Sequence, residues 1–507
     1  MVDTGCSMFS SPRILYVGGS GPGNYSSIQE AVNDAVDGDI VYVYSGLYNE
    51  TIVIDESITL LGENRDYTVI KGKKEEWVIK VSSSYVTVNG FTIQNLDYNG
   101  EGVQLEDVEY CVISNNRINA NGCSIFLSYS SNNFLTYNII EVAGVGLILD
   151  YSNNNIIQGN KISNCSVAGI YIELSDNNIL ANNVLNNNDD GLYLSYSSNN
   201  TILNNTITSS YSFGLSMSTC FNNTLRGNRL IGNCYNLRVV SWRWGATDFY
   251  HNIDTSNTIN GKPIYYLVEK SNLIVDESTN AGFVALVSCN NIEVKNLVLE
   301  NNSCGILVVN TTHSRISNIK ACNNMDGIEV DSSSYNILSN NTLSNNEAGV
   351  VLWISHDNLI FNNSITGSEH YGVLVNGYNY PYISNSSYNI ITGNIIKESR
   401  IGLSLGWSIG NTITKNDIEY NEKGLYLEVF SNLNRILRNN FIDNNIDAYF
   451  STSFLNFWFN NYWNKWPWSI PKPIRGEVFV SFVIILPWYN FDWHPALKPY
   501  DIGGNIR

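Results

Sequence analysis

The sequence predicts an all-β fold, a chain coiled as a parallel β-solenoid, and three observations carry that prediction. First, Gly146, Gly169, Gly191 and Gly214 stand 23, 22 and 23 residues apart, a period that signals stacked repeats. Second, each glycine opens a strict alternation. Leu147/Leu149, Ile170/Ile172, Leu192/Leu194 and Leu215/Met217 take the first and third places after it. Ile148/Asp150, Tyr171/Glu173, Tyr193/Ser195 and Ser216/Ser218 take the second and fourth. Period two means a strand with one buried face. Third, asparagines recur five residues apart, among them Asn133/Asn138, Asn155/Asn160, Asn178/Asn183, Asn291/Asn296, Asn336/Asn341 and Asn434/Asn439. Asparagine tolerates the left-handed backbone of a sharp bend. Stacked at one bend, its amides can bond along a ladder. Each unit holds three short strands and three bends, with no room for a helix of three turns. The LxxLxLxxN frame of a leucine-rich repeat is absent.

Taken in order, residues 1–38 form an N-terminal segment and a capping helix. In SSIQEAVNDAV (26–36), Ile28, Ala31, Val32 and Ala35 share one helical face after a serine cap. An open solenoid end is an unpaired sheet edge, and this helix is expected to cover it. The β-helix is expected over 39–450, in about sixteen coils at the usual strand spacing. Two departures interrupt the repeat. Gly372 to Gly402 is 30 residues, so 377–387 is read as a surface loop. Asn223 to Asn291 is 68 residues, three coils' worth, but the intervening asparagine pairs are gone. The solenoid is expected to run through unbroken there, with divergent coils at 241–281. Residues 451–507, rich in tryptophan and proline, are read as a C-terminal cap.

Composition narrows the function. The formal charge of −18 argues against a nucleic-acid partner. No run reaches the length of a membrane span. The start, MVDTGCSMFSSPRILYV, shows no basic region followed by an apolar one, so no signal peptide is visible. The nine cysteines lack CxxC or Cys/His spacing and are read as thiols packed in the coil. One elongated coil is expected to be monomeric.

The segment SIQEAVNDAVDGDIVYVYSGLYNETIVIDESITLLGE resembles the opening of pectin-lyase-like β-helix proteins, and the NNxIxxNxI units resemble NosD-type or CASH (carbohydrate-binding and sugar-hydrolase) repeats. The resemblance covers about residues 26–450. It implies a right-handed coil. It leaves the activity open, because this superfamily includes lyases, hydrolases, epimerases and plain binders. DTSNTINGKPIYYLVEKSNLIVD and NFDWHPALKPYDI are similar to segments of archaeal surface proteins of the group, which implies a secreted or cell-surface protein whose partner is a polysaccharide or cell-envelope glycan.

Candidate chemistry sits at outward positions. Tyr171 and Tyr193 beside Asp150 and Glu173 form one face, expected to lead toward Arg238, Trp242, Arg243, Trp244, Asp248 and His251. Aromatic rings and Arg238 would bind sugar. Asp150 and Glu173 are candidate ligands for calcium or, at close separation, an acid and nucleophile for a glycoside. Asp248 and His251 are a second candidate acid–base pair. Asp326, Glu329 and Asp331, near Trp353 and His356, are expected to be solvated bend residues. His313 is expected at a ladder place. The Asn-Thr-Asp and Gly-His-Gly of polygalacturonases and the Asp-Pro-His of mannuronan epimerases are missing. Five scattered histidines and four methionines make no soft-metal cluster for copper. Glycan binding is therefore the first expectation, a polysaccharide lyase or glycoside hydrolase the second, and a structural spacer or adhesin the third.

Overall fold

A computed structural model describes residues 12–73, 77–242, 245–378, 384–479 and 485–502. They form two compact units, Met1–Cys234 and Tyr235–Arg507. Each is a parallel β-solenoid. In the first, Ile148 and Asp150 lie beside Tyr171 and Glu173, and Tyr171 lies beside Tyr193 one coil later. The alternation predicted from sequence thus becomes lateral columns. Leu147, Leu149, Ile170, Ile172, Leu192 and Leu194 are buried, each contributing about 1.5–3 kcal/mol of apolar transfer. Coils number about 21 rather than sixteen, because the winding reaches into both end segments. Ile14–Val17 pairs in parallel with Ile40–Val43, and Phe457–Phe459 with Arg435–Leu437.

The repeat glycines serve close stacking rather than an unusual dihedral. A Cβ on Gly169 would stand 2.7 Å from the Gly191 carbonyl oxygen, and one on Gly146 2.5 Å from that of Gly169.

The asparagine ladder exists, and its backbone N–H groups donate one way, to the following coil. The Asn133 backbone N–H donates to Asn155 Oδ1 at 2.8 Å, Asn155 to Asn178 at 2.8 Å and Asn178 to Asn200 at 2.7 Å. The Asn155 amide nitrogen turns back to the Ser130 carbonyl at 3.0 Å, and that of Asn200 to the Ser175 carbonyl at 3.1 Å. These rungs are buried, so their polar groups need the partners they have. The left-handed residue is not the rung, as expected, but the one before it: Asn132, Asn154, Asn177 and Asn199 have φ of 57–60°. Doubled asparagines therefore divide two tasks, a bend residue and a rung. Asn291 and Asn296 are themselves left-handed, and Ile292 occupies the rung place after Asn291, donating to Ser314 Oγ. His313 likewise takes a corner, at φ 54°, and stacks on Tyr335.

In the second unit the ladder survives the long interval after Gly372. Asn358 donates to Asn389 Oδ1 at 3.0 Å across 31 residues. Within the interval, Gly377, Tyr378 and 384–387 are described, and 379–383 fall outside the described residues.

The helix Ile28–Asp34 buries Ile28, Ala31 and Val32. Glu50 accepts from the N–H groups of Ile28 and Gln29 and from the Ser27 hydroxyl, neutralising donors that a helix start leaves open. At the other end a hairpin, Lys472–Phe479 with Ile485–Asp492, lays Lys472–Phe479 on Ile446–Ser451. Among the described residues no helix is long and apolar enough to cross a membrane. Among the eight described cysteines all are free thiols, six of them buried.

Candidate functional site

The strand pattern of the second unit changes within 241–281. Lys262–Val268 pairs in parallel with Phe283–Val287 and antiparallel with Thr258–Ile259. Tyr235–Val240 does not pair with Lys262–Val268. It lies instead against a turn some 65 residues later: Asn236 N–H donates to the Asn301 carbonyl at 2.8 Å, and the Ser303 hydroxyl to the Leu237 carbonyl at 2.9 Å. Tyr235 adds a hydroxyl bond to Glu347 Oε1 at 2.9 Å.

That strand walls a cleft of about 190 Å³. Its floor is the outward side of two neighbouring strands, Asp326–Asp331 and Ala348–Trp353, with Ser303 and Met325 beside them. In Asp326–Asp331, Ile328 and Val330 point into the core with no exposure, which turns Glu329 and Asp331 outward. Trp353 is the lateral neighbour of Asp331. Arg238, Val240, Ser241 and Trp242 come from Tyr235–Val240 and its exit, and Phe249 from the short 3-10 turn Ala246–Phe249.

The three acids are not solvated bend residues. Asp331 is 5 % exposed and Asp326 and Glu329 are half-buried, because the strand lined with Arg238 shares their cleft. Burial, then the charge of Asp331, pushes the Glu329 carboxyl up to about 7. Burial pushes Asp331 up to about 6, against the pull of the Ser332 hydroxyl. Asp326 is held well above the usual carboxylate value by burial, then by Glu329 and Glu347. The Arg238 guanidinium opposes this at Asp326 and Glu329. Near neutrality the cleft therefore holds both protonated and ionised carboxyls beside one fixed cation. Such a set can donate to and accept from sugar hydroxyls, between indole walls that suit the apolar face of a ring.

Of the residues singled out from sequence, Arg238 and Trp242 line the cleft. Arg243 and Trp244 fall outside the described residues. Asp248 and His251 are each 5 % exposed, and neither is among the cleft's lining residues. Asp248 accepts the Ser241 hydroxyl at 2.7 Å. His251 meets the Asp248 backbone, and burial holds its imidazole down at about 3. The pair is thus side chain to backbone rather than carboxylate to imidazole. In the first unit, Tyr171 and Tyr193 stack with centroids 5.3 Å apart and planes 2° apart. Tyr171 donates its hydroxyl to Glu173 at 3.1 Å. Asp150, the neighbour of Glu173, has its carboxyl raised by burial and then by Glu173.

Fold and cleft together define a parallel β-solenoid carrying a cleft of acids and tryptophans. The chain belongs to the family described as Periplasmic copper-binding protein (NosD), whose profile matches residues 33–266, 251–382 and 375–472. A cell surface glycoprotein of Methanothermus fervidus is 34 % identical over 96 residues, 18 % of this chain and 16 % of that one. The match therefore spans about a sixth of that relative's length. Among solved structures, the Dettilon tailspike protein is 14 % identical, with 75 % of this chain and 66 % of that chain covered and a TM-score of 0.34. The catalytic domain of a GH87 alpha-1,3-glucanase is 12 % identical, with 79 % and 67 % covered and a TM-score of 0.36. Neither likeness bears on what the cleft does.

The family description names copper. Among the described residues no group of three or more His, Cys, Asp or Glu side chains could hold a metal ion. His313 stacks on Tyr335, His251 is buried, and the buried cysteines are held as separate thiols. These residues do not fit a copper centre, whose soft or imidazole ligands must converge.

Proposed function

We propose that this chain is a cell-surface β-solenoid that binds polysaccharide in the cleft between Trp242 and Trp353. The observation that carries the reading is that one concave site gathers Arg238, Asp326, Glu329 and Asp331 with two indoles. A few convergent polar groups set among aromatic walls is how ligand sites are built. The name of the Methanothermus relative supports a place at the cell surface. The stacked Tyr171/Tyr193 pair is proposed as a separate aromatic contact on the first unit. Retention of the purified chain on neutral, anionic and cationic polysaccharide gels tests this. Trp353→Ala should reduce the retardation, and a chain that none of the gels retards would sink the reading.

A second reading, glycoside cleavage, is favoured by one observation. Glu329, raised to about 7, stands two residues from Asp331 at about 6 on the same strand face. A carboxyl protonated near neutrality beside a more ionised one can act as acid and base. Release of reducing ends, lost in Glu329→Gln with binding kept, would establish it.

A further inference from the structure

We propose that the cleft takes an amino sugar bearing a free primary ammonium, so that the polymer bound is cationic. This rests on the glycan reading above and narrows it. Among the described residues three carboxyl groups, Asp326, Glu329 and Asp331, line the space with a single cation, Arg238. The described charged groups just behind them add no further cation. Glu347 is engaged by Tyr235, Asp248 by Ser241, and the Cys304 thiol lies under Glu329, pushed up by burial. The negative excess is therefore a property of the whole surround, not of one strand.

Each ligand class meets that excess differently. A uronate would bring a fourth carboxylate into a half-closed space already short of cations, and like charges there repel strongly. An N-acetylated or neutral sugar would fill the space without compensating the acids. An ammonium offers three donors to acceptors that carry the opposite charge. The indoles of Trp242 and Trp353 add a second preference, since a cation over an aromatic face is attracted to it. Trp242 is 57 % exposed, open to a ring arriving from solvent.

Calorimetric titration of the full chain near pH 7, where the cleft acids are partly ionised and part of the amine is charged, tests the proposal with four probes: a glucosamine hexamer, an N-acetylglucosamine hexamer, a galacturonate hexamer and spermine. The glucosamine hexamer should bind at least about tenfold more tightly than either other sugar. The double variant Glu329→Gln/Asp331→Asn should lose most of that preference. Its circular dichroism verifies that it folds, and the discrimination by the unaltered chain stands without it. Equal binding of the acetylated and free hexamers overturns this inference and leaves the glycan reading intact. Preference for galacturonate overturns it as well. Spermine binding as tightly as the amino sugar overturns the sugar requirement. Binding of none of the three sugars overturns both readings.

Discussion

Asn461 and Asp492 are joined by two hydrogen bonds. The Asn461 backbone N–H reaches Asp492 Oδ2 at 2.9 Å, and its side-chain amide reaches the same oxygen at 3.0 Å. Asp492 has no solvent exposure and also accepts from the Asn460 N–H and the Trp463 indole. Asn439 in turn donates to Asn461 at 3.0 Å. An aspartate from the terminal hairpin thus occupies the place that the next asparagine rung would hold. Asp492→Ala strands these four donors and the His494 N–H, and should cost about 3 kcal/mol in urea unfolding. Asp492→Asn, which keeps one acceptor oxygen, should cost less. Equal stability of Asp492→Ala and the parent would refute the role.

Gly169→Ala places a methyl group 2.7 Å from the Gly191 carbonyl. Backbone on the neighbouring coil cannot retreat without disturbing its own pairing. The substitution should destabilise by about 1–3 kcal/mol, read as a lower melting temperature. An unchanged melting temperature would mean that the coils yield more easily than their spacing indicates.

The cleft acids make stability depend on pH in a stated direction. Glu329 rises from its usual 4.5 to about 7 and Asp331 from 3.8 to about 6 in the folded chain. The folded state then holds these protons more tightly than the unfolded state. Their contribution is complete below about pH 4 and is lost as pH rises through about 6 to 7. Denaturant midpoints for the parent and Glu329→Gln/Asp331→Asn, compared across that range, should diverge as pH rises, with the parent losing more. Parallel curves would contradict the burial assigned to these side chains.

Trp353→Ala should weaken binding of whichever glycan the gels identify by about tenfold or more, as removal of a central aromatic anchor commonly does. Titration of the parent and the variant with that glycan reads the loss.

The winding was legible in the sequence because it repeats. Leu147, Ile170 and Leu192 announce their column by spacing alone, and Asn155 above Asn178 announces the ladder. The division of labour within Asn154–Asn155 was not legible, since both residues are asparagine and only the fold shows which one bends. The cleft was half legible. Arg238 and Trp242 stood out because they break the pattern. Glu329 and Asp331 obey it, and read as ordinary outward acids. Their burial comes from Tyr235–Val240, which meets a turn some 65 residues on. Translational symmetry predicts neighbours one period away, and it says nothing about a contact made three periods away.

The one-way rungs at each bend have a consequence for synthesis. At these rungs the asparagine N–H finds its acceptor on the coil made after it. A chain emerging amino end first therefore carries one unfinished rung at its growing tip, open to water or to a stray strand from another molecule. At Asn461 it is Asp492 that closes the rung.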